Sequence, residues 1–184
     1  SLEVITAART ISTNINIPVV GVIINGNQEA MKVAGDYGLT KIINVKHSLF
    51  EKSSIMGFSA VAYQVAKSEN ADVLIFAGNA SGMEIAPRVA VKMEAGYICD
   101  CVALDFADGN IVASKPVYAG KSMITARVDS INKIFSLRPN VFTASKSESA
   151  VNCEIIDFTP ELTDSDFKDI VVDVVKNEGK LDVL

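Results

Sequence analysis

The sequence has no tryptophan, only one histidine and no long hydrophobic segment. Any acid–base mechanism that uses histidine would have to run through His47. No apolar run approaches the roughly 18 residues that a membrane span requires. The first residues, Ser1–Ile5, also lack the basic and then apolar layout of a secretory signal. We therefore expect no direct membrane insertion.

Basic charge and cysteine are scarce as well. The chain has 17 Lys and Arg against 22 Asp and Glu, and its net charge is -5. Without a basic block it lacks the electrostatic footprint of a nucleic-acid-binding protein. Three cysteines in 184 residues exclude a disulfide scaffold, and two of them, Cys99 and Cys101, are separated by one residue. This usage is typical of a reducing compartment, so we expect a cytoplasmic protein.

Apolar residues in the first half alternate between helical stripes and short continuous runs. Two helices are predicted over Gln28–Tyr37 and Glu84–Glu94. Two more are predicted from apolar residues at helical spacing: Val4, Ala8, Ile11 and Ile15 in the first, and Phe58, Val61, Ala62, Val65 and Ala66 in the second. Strands are predicted at Val19–Ile24, Lys41–Val45 and Val73–Ala77. Because strands alternate with helices, this half predicts a three-layer α/β fold with a mostly parallel sheet between helices.

Two of these strands are continuous apolar runs. Runs such as Val19–Ile24 and Val73–Ala77 are typical of strands buried on both faces. The first residues belong to a helical pattern, so one more strand ahead of Ser1 would complete the alternation. We expect that a segment preceding Ser1 is absent from this chain.

The second half changes to strands with short connections. Ile98–Phe106 is predicted as a strand, and Asp108-Gly109 is a strong hairpin signal. Successive antiparallel strands are then predicted at Ile111–Val117, Ser122–Val128 and Ile134–Leu137, which extend the sheet as a meander. Beyond these strands, a polar linker or loop is predicted at Thr143–Ser149 and a strand at Cys153–Phe158. A turn or helix start is predicted at Thr163–Asp166, and the run Asp169–Val175 is strand-like.

The segment with the most functional character is the loop Gly78, Asn79, Ala80, Ser81 and Gly82, which joins a strand to a helix. Ligands of open α/β sheets bind beyond the carboxyl ends of strands, and helix N-termini attract phosphate. A capping box from Ser81 to Glu84 would explain the same residues structurally. The loop lacks the lysine and glycine spacing of a phosphate-binding loop. Both interpretations remain open.

Other polar residues predict no catalytic group and no metal site. Asp105, Asp108 and Asn110 surround the hairpin turn, and turn chemistry explains Asp108-Gly109. His47 follows a strand, where a solvated surface position is expected, and Cys99 and Cys101 share a strand face as small core residues. The basic residues of the second half are expected to form ordinary surface: Lys115, Lys121, Arg127 and Arg138.

Three stretches together resemble the alpha subunit of electron transfer flavoproteins. They are Leu74–Ala90 with its Ala-Pro-Arg triplet, Cys99–Leu104 leading into Ser114–Lys121, and Leu137–Phe142 with its Arg-Pro-Asn triplet. Their order and spacing match the family over nearly the whole chain. One departure is Met83, where the family usually has Arg or Lys.

This resemblance implies a Rossmann-like fold of the adenine-nucleotide-hydrolase type. Residues 1–142 would be the N-terminal α/β domain, and 143–184 a linker and extension towards an absent FAD domain. The last residues, Gly179–Leu184, resemble the run ahead of that domain. The FAD of the complete protein would be held mainly by the absent domain. No cofactor is expected on this chain, where the Gly78–Gly82 loop would be vestigial.

The same resemblance implies a heterodimeric electron carrier rather than an enzyme. Its beta subunit would be the direct partner of this chain, which would serve as scaffold and subunit interface. Flavin dehydrogenases such as acyl-CoA dehydrogenases would supply the electrons, and a quinone reductase or another respiratory acceptor would receive them. The alternative is a stand-alone adenine-nucleotide-binding α/β module, which predicts that the Gly78–Gly82 loop holds a phosphate.

Overall fold

The computed structural model describes residues 2–51, 53–148, 152–173 and 175. Its helices are α1 (Leu2–Ile15), α2 (Gln28–Asp36), α3 (Ile55–Ser68) and α4 (Ala80–Met93). Its strands are β1 (Val20–Ile24), β2 (Lys41–Val45), β3 (Val73–Ala77), β4 (Gly96–Cys101), β5 (Ala103–Ala107), β6 (Asn110–Val117), β7 (Ser122–Arg127), β8 (Lys133–Leu137) and β9 (Glu154–Phe158). Among the described residues, no helix is long and apolar enough to cross a bilayer.

The strands form two parallel sheets and one antiparallel sheet. The parallel sheets have the orders β1-β2-β9 and β3-β8-β4, and the antiparallel sheet has the order β5-β6-β7. Apolar residues of α1 and α2 pack on one face of the parallel sheets, and those of α3 and α4 pack on the other. The predicted three-layer α/β fold with an antiparallel extension is therefore confirmed.

Strand β8 corrects the predicted meander. The segment Ile134–Leu137 was expected to continue the antiparallel series, but β8 lies between β3 and β4 and pairs with both in parallel. Ile134 and Phe135 are fully buried there. After the β6–β7 hairpin the chain returns to the parallel layer, where apolar side chains on both strand faces are covered by helices. The predicted strand Ile98–Phe106 is also divided, into β4 and β5.

The two strands expected to be buried on both faces lie at sheet edges instead. Val22 in the middle of β1 is 43% exposed, and the residues of β3 are all only half-buried. The fully buried strands are β2 and β8, each at the centre of its sheet. Burial here depends on the position of a strand in the sheet, which its own sequence does not encode.

The segment after β9 packs against α3 rather than forming a strand. The strand at Cys153–Phe158 is confirmed as β9, and a 3-10 turn at Asp164–Phe167 confirms the predicted turn. The strand-like run beginning at Asp169 is not a strand over residues 169–173. The Asp169 carboxylate accepts hydrogen bonds from Ser54 Oγ at 2.6 Å and the Met56 amide at 2.9 Å. The predicted match at Gly179–Leu184 lies outside the described residues.

Candidate functional site

The loop from Gly78 to Gly82 lies against the end of β8. The Gly78 amide donates a hydrogen bond to the Leu137 carbonyl at 2.7 Å. A Cβ atom on Gly78 would lie 2.6 Å from that oxygen, and one on Gly82 would lie 1.8 Å from the Ala77 carbonyl oxygen. Both glycines are therefore required by close backbone packing within the protein. The space that their missing side chains leave is occupied by the chain itself.

The N-terminus of α4 is capped by a side chain of the same loop. Asn79 has extended backbone angles, and its Oδ1 accepts a hydrogen bond from the Gly82 amide at 2.9 Å. The capping box predicted from Ser81 is thus wrong, because Ser81 lies one residue inside the helix. Asn79 satisfies one of the free amides that a bound phosphate would otherwise use.

Beside this loop, polar side chains meet in the interior between β4 and β8. Ser136 is fully buried on β8, and its Oγ lies 2.9 Å from the Tyr97 hydroxyl. Ser136 also donates to the Met83 Sδ at 3.4 Å. Burial raises the pKa of Tyr97, so its phenol stays protonated and available as a donor. Met83, the departure from the family pattern, thus contacts Ser136 and Tyr97 through its thioether.

An ion pair links the carboxyl ends of the same two strands, β4 and β8. Arg138, directly after β8, binds the Asp100 carboxylate through Nε at 2.8 Å and Nη2 at 2.6 Å. Hydrogen bonding from Arg138 holds the pKa of Asp100 below its usual range. Asp100 has a positive φ of 61° and sits at an irregularity in the pairing of β4 with β8. The Arg138 side chain is 42% exposed, so it lies at the surface as expected, and the structure adds Asp100 as its partner.

The two cysteines of β4 occupy different environments. Cys101 is fully buried in the core cluster that also contains Ile98, and burial raises the pKa of its thiol to about 12. Cys99 lies outside that cluster, and its Sγ accepts a hydrogen bond from Lys115 Nζ at 3.2 Å. The strand irregularity at Asp100 breaks the alternation of side chains, so the shared face predicted for Cys99 and Cys101 is not found.

His47 lies at the ends of the other parallel sheet, apart from the Gly78–Gly82 loop. Its side chain is partly exposed, which agrees with the expected surface position, and its Nδ1 accepts a hydrogen bond from the Leu49 amide at 3.3 Å. The neighbouring Asn25 side chain donates to the His47 carbonyl and accepts from the His47 amide. These contacts shape the loop after β2 and orient the imidazole.

The polar residues at the β5–β6 hairpin, Asp108 and Asn110, form and stabilise its turn. Asp108 and Gly109 both have positive φ angles, as a two-residue hairpin turn requires. The Asn110 side-chain amide donates to the Asp108 carbonyl at 3.0 Å. In the part of the chain that the structure describes, no group of three or more His, Cys, Asp or Glu residues is arranged to hold a metal ion.

The structure therefore brings together in space several residues that the sequence analysis treated separately. Met83, Cys99 and Lys115 gather with the Asp100–Arg138 pair at the carboxyl ends of the β3-β8-β4 sheet. The missed signal is the position of Arg138 directly after a strand, since the carboxyl ends of parallel strands meet at one sheet edge. The gathered side chains supply fixed charge and hydrogen bonds.

Comparisons with known proteins identify the family to which this chain belongs. Residues 1–163 match the electron transfer flavoprotein domain. The chain is 30% identical to the electron transfer flavoprotein subunit alpha of Bacillus subtilis over 96% of its own length and 53% of the relative. It is 22% identical to Protein FixB of Clostridium saccharobutylicum over 97% of its length and 54% of that protein.

A third relative has a name that includes a redox reaction. It is the acryloyl-CoA reductase electron transfer subunit beta of Anaerotignum propionicum, 23% identical over 97% of the chain and 56% of that protein. The chain thus spans about half the length of the curated relatives that it matches. Because the domain match covers most of the sequence, this chain belongs to the electron transfer flavoprotein family and resembles its alpha subunits.

Proposed function

We propose that this chain is the N-terminal α/β part, residues 1–142 with the extension 143–184, of an alpha subunit in a heterodimeric electron carrier. The complete protein takes electrons from flavin dehydrogenases, such as acyl-CoA dehydrogenases, and passes them to a quinone reductase or respiratory acceptor. This part acts as a scaffold and as a docking surface for the beta subunit, and it carries no catalytic residue of its own. The observation that carries the proposal is the family match over residues 1–163.

The cofactor of the complete protein is FAD, held mainly outside this chain. Its isoalloxazine ring supplies the redox chemistry, and the protein supplies position and electrostatics. The Gly78–Gly82 loop does not fit a phosphate, because its two glycines pack against the Leu137 and Ala77 carbonyls and Asn79 caps the helix. These contacts support a vestigial loop over the nucleotide-binding module that the same residues could suggest.

The best candidate for docking the beta subunit is the β6–β7 hairpin. Tyr118 is 80% exposed, Met123 is 56% exposed and Ile124 is 43% exposed. We call these three residues the hairpin surface. Aromatic residues and methionine are enriched in protein interfaces. β7 also lies at the edge of the antiparallel sheet, which leaves these side chains accessible to a partner.

The free thiols support the cytoplasmic location expected from the sequence. Cys99, Cys101 and Cys153 are all unpaired. Structural disulfides are common in oxidising compartments and rare in the cytosol.

The decisive experiment combines assembly and nucleotide content. The purified chain is mixed with a beta-type subunit, and the molar mass is measured by light scattering during size-exclusion chromatography. A second sample of the chain alone is denatured, and released FAD and AMP are quantified by chromatography. We expect a one-to-one complex with the beta-type subunit and neither FAD nor AMP from the chain alone.

Each alternative gives a different result in these two measurements. Stoichiometric AMP from the chain alone would favour the adenine-nucleotide-binding module. Stoichiometric FAD would mean that the cofactor site lies within this chain. Failure to form a complex would contradict the docking role, even with no nucleotide released.

A further inference from the structure

A thiol and an amine meet between β4 and β6. Lys115 Nζ of β6 lies 3.2 Å from Cys99 Sγ of β4 and donates a hydrogen bond to it. The two strands belong to different sheets, because β4 is an edge of the parallel sheet β3-β8-β4 and β6 is the centre of the antiparallel sheet. This side-chain contact therefore bridges the two sheets.

Both side chains are half-buried and positioned by the strands that carry them. Lys115 pairs in register with Ile124 of β7, and Cys99 precedes the irregularity of β4 at Asp100. The Asp100 carboxylate next to the cysteine receives two hydrogen bonds from Arg138. The Lys115 amine thus contacts the sulfur, while Arg138 holds the neighbouring carboxylate.

The other two thiols have different surroundings. Cys101 is fully buried, its Sγ donates to the Ile98 carbonyl at 3.4 Å, and burial raises the pKa of its thiol to about 12. Burial raises the pKa of Cys153 as well. Because the thiolate is the reactive form, both of these thiols react slowly. Reactive cysteines occupy partly exposed sites beside cations, and Cys99 has such a site beside Lys115.

An oxidised Cys99 sulfur has two candidate partners, the Cys101 thiol and the Lys115 amine. A disulfide with Cys101 would require that thiol to leave the core cluster that contains Ile98 and Leu104. The Lys115 amine, by contrast, already lies at contact distance from the sulfur. Holding two reacting atoms in a fixed geometry accelerates their reaction by orders of magnitude. The geometry therefore favours the lysine.

We propose that Cys99 and Lys115 are a redox-sensitive pair, which a peroxide joins by a covalent bond that thiol reductants can break. The Cys99 thiol first reduces hydrogen peroxide, which gives a sulfenic acid and one water. The Lys115 amine, after losing a proton to solvent, then attacks the sulfenic sulfur. An S–N bond forms, the S–O bond breaks, and the oxygen leaves as a second water.

Reduction reverses this reaction. One reductant thiol attacks the Cys99 sulfur and releases the Lys115 amine, and a second displaces the Cys99 thiol as the reductant disulfide forms. The bond closes a loop that contains β5 and ties β6 to the edge of the parallel sheet. Because β6 leads into the β6–β7 hairpin, the oxidised state restricts movement of that hairpin relative to β4.

The test locates the bond by mass spectrometry of the 184-residue chain. The folded chain is treated with hydrogen peroxide, free thiols are blocked with iodoacetamide, and the chain is cleaved before each aspartate. Cys99 is then in residues 72–99, Cys101 in 100–104 and Lys115 in 108–128. We expect fragments 72–99 and 108–128 to be joined, with a mass about 2 Da below their sum. Dithiothreitol should separate them.

Substitutions distinguish the amine from its charge. Lys115→Arg keeps a cation beside the sulfur but removes the amine, so the yield of joined fragments should fall at least about tenfold. Cys99 should then remain a sulfenic acid that dimedone labels. Lys121→Gln, at an exposed position of the β6–β7 turn, is the matched control and should keep the full yield. The chain unfolded in urea should give no joined fragments, because the two groups are then no longer in contact.

The remaining outcomes are equally specific. A joined pair about 14 Da above the sum contains a bridging oxygen, whose insertion consumes a second peroxide and releases a third water, and it supports the same pair. Fragment 72–99 joined to 100–104 would show a disulfide with Cys101 and would overturn the proposal. Equal dimedone labelling of the unaltered chain and Lys115→Arg, without joined fragments, would also overturn it.

Discussion

At the carboxyl end of β4, Asp100 combines an unusual backbone conformation with an ion pair. Its φ of 61° lies in the left-handed region, which Asp and Asn adopt more readily than other residues with a side chain. Its amide donates to the buried Ser136 Oγ at 3.3 Å, and its carboxylate receives both Arg138 donors. Hydrogen bonds of both the backbone amide and the side chain of Asp100 thus stabilise the irregularity of β4.

The pH dependence of this ion pair is the prediction at the residue scale. Arg138→Gln should lower the free energy of unfolding above about pH 4, the usual pKa range of a free Asp carboxyl. Asp100 has a depressed folded-state pKa, so the stabilisation is present above its unfolded pKa and is lost as pH falls through the folded value. Urea unfolding of both proteins from pH 7 to pH 2.5 measures this difference, which should close at the acidic end.

The control is the ion pair between Arg127 and Asp129, whose side chains are 56% and 77% exposed. Arg127→Gln should change the stability little at any of these pH values. A difference for Arg138→Gln that stays constant down to pH 2.5 would contradict the role of the Asp100 carboxylate.

At the scale of the elements, α4 begins where Asn79 ends the loop after β3. The helix contains Pro87 in its second turn, and its first turn carries no acidic residue. Pro87 has no amide to donate, so this helix makes one hydrogen bond fewer near its start. The Asn79 cap therefore contributes to a helix end that has few other stabilising features.

Loss of that cap is the prediction at this scale. Asn79→Ala should lower the free energy of unfolding by about 1 kcal/mol, because the Gly82 amide loses its acceptor. Asn79→Ser, which keeps a side-chain acceptor, should retain most of the stability. Equilibrium unfolding in urea measures both variants. Equal losses for Ala and Ser would show that the cap is not the source of the effect.

At the scale of the whole molecule, the antiparallel sheet extends the parallel layer and exposes apolar side chains. β5 follows β4 directly, and β6 and β7 form a hairpin whose turn includes Tyr118 and Gly120 with positive φ angles. The hairpin surface is therefore presented away from the core that the parallel strands bury. Its docking role rests on the proposed function.

The prediction at this scale is that a negative charge on the hairpin surface weakens binding of a beta-type subunit. Tyr118→Asp and Met123→Asp should each weaken binding to a beta-type subunit at least about tenfold, because a charge replaces a large apolar contact. Isothermal titration calorimetry with a beta-type subunit measures the Kd. Val91→Asp, equally exposed on α4, is the matched control and should bind normally. Unchanged affinity for both hairpin variants would locate the interface elsewhere.

The prediction of the fold succeeded where a local signal was strong. Helix α3 was indicated by its stripe of apolar residues, of which Val61, Val65 and Ala66 are buried, and β2 lies at its predicted bounds. The site was predicted less well. Gly78 and Asn79 lie between β3 and α4 as expected, but residues 80–82 already belong to the helix, whose cap is Asn79 instead of Ser81. Both residues are good caps, and backbone angles decided between them.

What the sequence determined by itself is most of the helices and strands, because hydrophobic periodicity and turn residues act within a few positions. It also carried the family resemblance, through short stretches such as Leu74–Ala90. Only the tertiary structure decided which strands are central, since β8 reaches the middle of its sheet across a long separation in sequence. Only it brought Asp100 to Arg138 and Cys99 to Lys115. Such contacts depend on strand order, and strand order follows from packing of the whole chain.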